Sequence, residues 1–327
     1  MLRIKILVFS LLLVAPFAEA TNDSLLQQAI QLEYEHPDSA ISIINLLIDG
    51  GASDAKLLSN AMEVRGIARW VQEDYPQAIM DHSEALRLRR SIGYLSGAGY
   101  SYNNLGLNYQ ALGDAKQAMQ HFLDAKDIAE QAEDSSLVAK ILGNIGTLYE
   151  EQHATEKALE YYEESLKILG ELGEDRILAN TLNNVALVYK QIDEPEKAWN
   201  FAQRSLSIRN MINDKWGVAQ SLNLLGVLAS DKKDYLLADS LFRVSLAAYD
   251  ELDNFWGRSM VHGNLGADAN AVENHAMAVV ECGRSLRIAK KHVLEWEESA
   301  CQCLAEAYTG LSQADSAGFY WGAIGCH

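Results

Sequence analysis

The sequence predicts an all-α chain of antiparallel helix pairs, and three observations predict it. A small residue recurs every forty positions, at Gly66, Gly106, Gly146, Ala186, Gly226 and Gly266. Alanine follows twelve residues later each time, at Ala78, Ala118, Ala158, Ala198, Ala238 and Ala278. Around these anchors the apolar residues keep helical spacing. Tyr102, Leu105, Gly106 and Tyr109 fall at i, i+3, i+4 and i+7, and Ala118, Phe122, Ala125 and Ala129 at i, i+4, i+7 and i+11.

The elements follow in chain order. Residues 1–20 join a basic start, Met-Leu-Arg-Ile-Lys, to the apolar run ILVFSLLLVA and an Ala18-x-Ala20 end, which is the pattern of a signal peptide cut after Ala20. The apolar run is short for a bilayer span, and Thr21 stands where a lipoprotein needs cysteine. The expectation is a periplasmic or secreted mature chain, residues 21–327, with no stable membrane insertion. Residues 24–49 read as an opening helical pair, SLLQQAIQLEYE then PDSAISIINLLID, with Ala40 in the alanine role. Full repeats are expected near 59–98, 99–138, 139–178, 179–218, 219–258 and 259–298.

Within each repeat, turn-like segments such as ALGDA (111–115), QIDEP (191–195) and SDKKD (230–234) separate the two helical stripes. Pro37, Pro76 and Pro195 each stand just before the second stripe's alanine, where a first-turn proline gives up no hydrogen bond. The segments 170–180 and 209–220 are expected to be loop inserts that hold the residues of a long repeat. A partial repeat, 299–327, restarts the motif one residue early at Leu304, Ala305 and Tyr308 and continues through Ala317 and Trp321. Its second helix stops short at GAIGCH, which suits the edge of a fragment as well as a natural end.

A glycine inside a helix costs about 1 kcal/mol relative to alanine. Five of them therefore call for close helix packing in return. The expectation is that each glycine faces the alanine of its second helix, with aromatics such as Tyr149 and Phe122 wedged into neighbouring repeats.

The motif Leu105-Gly106-x-x-Tyr109 followed by Ala118-x-x-x-Phe122 resembles the tetratricopeptide repeat. The resemblance holds through six copies. It departs at the opening tryptophan, replaced by Met62, Tyr102, Leu142, Leu182, Leu222 and His262, and in a period of forty, which resembles the long-repeat variant with an extended second helix. The resemblance implies a right-handed superhelical solenoid of about seven repeats, the last incomplete. It also implies that the outer side of each first helix lines a concave groove.

Helical angles, at about 100° per residue, place Tyr100, Asn104 and Leu107 on that outer side. The same register gives an amide column, Asn104, Asn144, Asn184 and Asn264, beside an apolar column, Leu107, Leu187 and Val227. Lys140 and Asn180 lie on the same side one turn earlier. A primary amide both donates and accepts, so such a row suits the backbone of an extended peptide, or equally a ladder between neighbouring repeats. Asn103, Asn183 and Asn223 lie nearer the seam between repeats and suit the ladder. Trp216, Trp256 and Trp296 recur every forty residues, and core or seam packing is expected for them.

Composition narrows the function classes. With 27 Lys+Arg against 45 Asp+Glu, the chain has no basic surface for nucleic acid. Cys282, Cys301, Cys303 and Cys326 crowd the C-terminal end, where an oxidising compartment permits disulfides and burial as small apolar residues fits as well. Phosphate loops, metalloprotease helices and nucleophile elbows are absent from the sequence, so neither an enzyme nor a cofactor is expected. The expected partner is a protein or peptide held in the groove, with the oligomeric state open. The alternative follows from a second resemblance: the signal and the phrase HPDSAI (36–41) are similar to extracytoplasmic halves of bacterial histidine kinases and transcription regulators.

Overall fold

The computed structural model describes residues 21–34, 36–173, 175–292 and 297–324. Among these it holds sixteen α-helices and no strand. The opening pair is α1 (Asn22–Leu32) and α2 (Pro37–Asp49). The repeats follow as α3 (Ala55–Val71) with α4 (Tyr75–Ser91), α5 (Leu95–Ala111) with α6 (Ala115–Gln131), and α7 (Ser135–Glu151) with α8 (Thr155–Leu172). Next come α9 (Asp175–Gln191) with α10 (Pro195–Met211), α11 (Lys215–Asp231) with α12 (Tyr235–Glu251), and α13 (Phe255–Ala271) with α14 (His275–His292). The last pair is α15 (Glu297–Gly310) and α16 (Ala314–Ala323). Residues 1–20, Trp296 and Cys326 fall outside the described residues, so the signal peptide and two side-chain expectations do too. Among the described residues no helix is long and apolar enough to cross a membrane.

The chain divides into two compact units, residues 1–137 and 138–327, with the division inside α7. In each, consecutive helices pack as antiparallel hairpins.

The forty-residue period comes from two helices of seventeen residues and two three-residue turns, as in α5 and α6. Among the described residues the three-residue turns are built the same way. Its middle residue is left-handed, at Gly113 (φ 76) or Asn213 (φ 54), and the next amide reaches back to the helix, as Asp114 N donates to Tyr109 O at 2.9 Å. That third residue is often an aspartate whose side chain caps the following helix: Asp114 accepts from Gln117 N at 3.1 Å and Asp234 from Leu237 N at 3.2 Å. Pro37, Pro76 and Pro195 sit in the first turns of α2, α4 and α10.

This construction corrects the expected loop inserts. Residues 209–220 are the end of α10, the turn 212–214 and the start of α11, and in 170–180 helix α8 runs to Leu172 and α9 begins at Asp175. The additional residues lengthen both helices rather than a loop. The tryptophans change with it, because no loop body remains for an indole to pack under. Trp216 and Trp256 ride the exposed first turns of α11 and α13, 44% and 36% accessible.

The glycines lie against aromatic rings and not against alanines. A Cβ on Gly106 would stand 2.5 Å from Phe122, one on Gly146 2.7 Å from Tyr162, and one on Gly226 2.5 Å from Phe242. Each ring belongs to the second helix of the glycine's own hairpin. Tyr149 likewise stacks on Tyr161 of its own hairpin, with centroids 5.4 Å apart. A glycine frees the depth of a ring at the crossing, whereas facing a methyl it would leave a void. Two repeats depart from this: Ala186 replaces the glycine where the opposing residue is Ala202, the two sharing one core cluster, and Gly266 lies against Cys282 Sγ.

In the second unit, serines three residues beyond the ring position tie each second helix to its first. Ser165 Oγ donates to Ala139 O at 2.8 Å, Ser205 Oγ to Ala179 O at 2.8 Å, and Ser245 Oγ to Ala219 O at 2.7 Å. The cysteines resolve as a Cys282–Cys303 disulfide joining α14 to α15, with Cys301 a buried free thiol.

In the first unit, Glu33 closes α1 with one carboxylate oxygen buried and lacking a hydrogen-bond partner. Burial first, and then the charge of Glu63, raise its pKa from 4.5 to about 7. A carboxyl raised on folding favours the native state below 4.5, and that stability is lost as the pH climbs through 7. Glu33→Gln is therefore expected to stabilise the chain by on the order of 1–3 kcal/mol at pH 8 and hardly at all at pH 4.5, as thermal unfolding at the two values will show. An equal gain at both would contradict this.

Candidate functional site

In the first unit the outer face of α5 carries Tyr100, Asn104 and Leu107, all half-buried. Asn104 is engaged between repeats, because its Nδ2 donates to Glu63 Oε1 on α3. Asn103 is fully buried at the seam and donates to Asn104 Oδ1 at 3.3 Å.

Behind Asn104 lies a charged cluster that spacing arguments missed. Glu63 Oε2 accepts from Arg89 Nη1 at 2.6 Å and from Ser101 Oγ at 3.2 Å, and His82 Nδ1 stands 3.7 Å away. Arg89, 5% exposed, also donates to Gly97 O at 3.0 Å, to Ser101 Oγ at 2.7 Å and to Asn60 Oδ1 at 3.1 Å. Burial pushes the Glu63 carboxyl up, but His82, Arg89 and Ser101 together outweigh it and hold the group below its usual range. The sequence did carry a signal: Arg89 and Arg209 interrupt a column otherwise filled by Ala129, Leu169, Tyr249 and Ala289.

In the second unit the same outer face runs along α7, α9, α11 and α13. Lys140, Asn144, Asn184, Val227 and Asn264 are half-buried, while Asn180 and Leu187 are exposed. Asn264 Nδ2 donates to Asn223 Oδ1 at 2.9 Å, the same 41-residue link that joins Asn104 to Glu63. Asn184 hydrogen-bonds the Tyr162 hydroxyl. Asn180 Oδ1 accepts from Arg209 Nη2 at 2.8 Å. The structure thus places the predicted residues on one helix face in each unit, and several of their amides hold neighbouring side chains.

Beside Asn264 this face opens into a cavity of about 260 Å³, bounded by Met260, Gly263 and Ala267 on α13 and by Ser299, Gln302 and Glu306 on α15. Its floor includes Ser285 and Cys303. A larger hollow of about 590 Å³ lies between α12, α13 and α14 and is lined by Leu236, Val272 and Met277 together with Asp239, Arg243, Asp268 and Glu281. Among the described residues no three His, Cys, Asp or Glu side chains are grouped to hold a metal ion.

Hairpins of this length, capped and repeated in one register, with small residues under rings, define an all-α helical-repeat protein of the kind that presents first-helix faces in series. The tetratricopeptide repeat family model matches residues 57–131, 97–171 and 137–211, and the chain is a tetratricopeptide-repeat protein. No curated protein sequence matches it.

Among solved structures, the apo form of the quorum sensor NprR from B. thuringiensis is similar, with TM-score 0.70 and 17% identity over 92% of this chain and 86% of that one. A Rap protein complexed with Competence and Sporulation Factor gives TM-score 0.60 and 15% identity over 93% and 96%. BtubC from P. vanneervenii gives TM-score 0.59 and 24% identity over 66% and 91%. At these identities the likeness shows the fold.

Proposed function

We propose that the chain is a non-enzymatic scaffold that binds a peptide or protein segment along the outer face of its first helices. The observation that carries this is the cavity at Asn264, which opens on the face where the sequence places alternating amides and apolar side chains. A half-buried amide can exchange a repeat-to-repeat bond for one to a ligand's backbone, and Leu187, Val227 and Ala267 offer apolar contact beside it. Support also comes from relatives of the fold that are held in complexes with peptides: NprR with its cognate peptide NprX, and a Rap conjugation regulator with the Phr* peptide.

The export signal read in residues 1–20 makes the scaffold periplasmic or secreted, and the acidic balance argues against nucleic acid as partner. A sensory ectodomain is the second reading, supported by that signal together with HPDSAI, whose proline opens α2.

Asn104 and Asn184 are poor probes of this face because they hold Glu63 and Tyr162. Leu187 and Ala267 are exposed and cleaner. Leu187→Asp combined with Ala267→Asp is expected to weaken binding of a synthetic random heptapeptide pool by about tenfold or more while the melting temperature stays within a degree or two. Undiminished binding by the double variant would contradict the reading.

A further inference from the structure

Each repeat hairpin has a place where one residue of its first helix meets one of its second, and in four hairpins two rings stack there. The pairs are Tyr109 with His121, Tyr149 with Tyr161, Tyr189 with Phe201 and, one residue early in register, Tyr308 with Tyr320. Their ring centroids are 5.1, 5.4, 5.4 and 5.7 Å apart. In α3 and α4 the same positions hold Arg69 and Asp81, paired at 2.7 Å. The place also abuts the second helix of the preceding hairpin, since Tyr189 and Phe201 pack against a cluster that holds Ala158 and Tyr162 of α8.

Two hairpins lack the pair. In α11 and α12 the positions are Ala229 and Leu241, and Trp199 of the preceding α10 packs with Leu241 against the cluster that holds Ala229. In α13 and α14 they are Ala269 and Glu281, and the residue forty positions after Trp199 is Asp239. No ring is supplied from either side. The hollow of about 590 Å³ lies at this place, with Ala269, Glu281 and Asp239 in its wall. Its volume is that of a small-molecule pocket.

Polar groups stand here where other repeats are apolar. Asp268, also in the wall, takes the position of Leu148, Val188 and Leu228. Asp239 is paired with Arg243 at 2.8 Å, and Glu281 with His262 at 2.8 Å and Arg284 at 2.9 Å. Asp268 is less complete: its Oδ1 accepts from Ser230 Oγ, while its Oδ2 is buried with no hydrogen-bond partner. Burial, and then the charges of Asp231 and Asp239, raise the Asp268 carboxyl against the lowering effect of the Ser230 bond. A buried acceptor left open opposes folding until a donor reaches it.

We infer that this hollow is a second binding site, for a small arylalkylamine whose ring takes the place of the missing pair and whose ammonium group donates to Asp268 Oδ2. Leu265, Ala269 and Met277 offer the ring an apolar wall. Approach of the ammonium takes a rotation of the Asp268 side chain. An aromatic acid is disfavoured, because Asp234, Asp239, Asp268 and Glu281 line the hollow against Lys233 and Arg243. An amine without a ring leaves the apolar wall uncovered. Leu187, Val227, Asn264 and Ala267 of the outer first-helix face do not line the hollow, so the peptide-binding reading stands or falls separately.

Calorimetric titration of the whole chain at neutral pH with phenethylamine, phenylpropionate and butylamine tests the site. Wild type is expected to bind phenethylamine about tenfold or more tightly than either of the others. Asp268→Asn keeps the size of the side chain and an acceptor for Ser230, and is expected to weaken phenethylamine binding about tenfold. Ala269→Tyr restores a ring from within, as Tyr189 does in α9, and is expected to raise the melting temperature and abolish binding. Asp268→Asn alone carries the test if Ala269→Tyr does not fold. Failure of wild type to bind phenethylamine, equal binding of the three probes, or an affinity left unchanged by either folded variant overturns the site.

Discussion

Arg89→Met is expected to cost about 3–5 kcal/mol of stability, the range typical of removing one member of a buried ion pair. Glu63 is 9% exposed and would keep its charge in that setting with only His82 nearby and two weaker donors, Ser101 and Asn104. The substitution also releases Gly97 O and Ser101 Oγ, which tie the end of α4 to the start of α5. Adding Glu63→Met should recover part of the loss, because the stranded carboxylate goes with it. Urea denaturation of the two variants measures both quantities. A loss under about 1 kcal/mol for the single variant would mean that water reaches Glu63 and that the cluster is not a structural pair. Arg209 donates to Gly217 O, Ser221 Oγ and Asn180 Oδ1 much as Arg89 does to Gly97 O, Ser101 Oγ and Asn60 Oδ1, so the smaller loss expected for Arg209→Met, which strands no paired carboxylate, isolates the role of the counter-ion.

Phe122→Ala is expected to cost about 3–5 kcal/mol, because a fully buried ring leaves a cavity over a glycine that has no side chain to collapse into it. Gly106→Ala is expected to cost about 1–3 kcal/mol by overpacking, its new Cβ falling 2.5 Å from that ring. The two together should cost less than their sum, since the new methyl enters the space the ring vacates. The protein already contains that pairing at Ala186 and Ala202. Strict additivity in the double-mutant cycle would show that ring and glycine do not share the space.

These contacts mark where the sequence was legible and where it was not. Register, hairpin order and the first-turn prolines follow from the 3.6-residue period and from backbone chemistry, which act within one helix and are visible in spacing alone. Which residue of the second helix lies over Gly106 depends on the crossing of two helices, and a linear pattern does not encode it. Turn length was misjudged for a related reason. Nearly every turn uses a left-handed residue, and at Glu73, Asp193 and Lys233 that residue is neither glycine nor asparagine. From 209 to 220 helix was taken for loop although Asn213 supplies a usual left-handed residue, because the turn there is only three residues long, 212–214, and the rest is the end of α10 and the start of α11.

Helical angles put the amides on the outer side of the first helices. Their partners stayed hidden because the link of 41 residues joins one hairpin to the next and reflects the stacking of repeats. Nothing in the helical spacing alone sets Glu63 or the two buried arginines apart from surface charges. Only an interrupted apolar column hinted otherwise.

The most direct test of a peptide-binding first-helix face is photo-crosslinking of a heptapeptide pool carrying a benzophenone, with the attachment sites mapped by mass spectrometry. The account predicts adducts on the outer faces of α9, α11 and α13, around Leu187, Val227 and Ala267. Adducts confined to the second helices α10, α12 and α14, or scattered without preference, would contradict it.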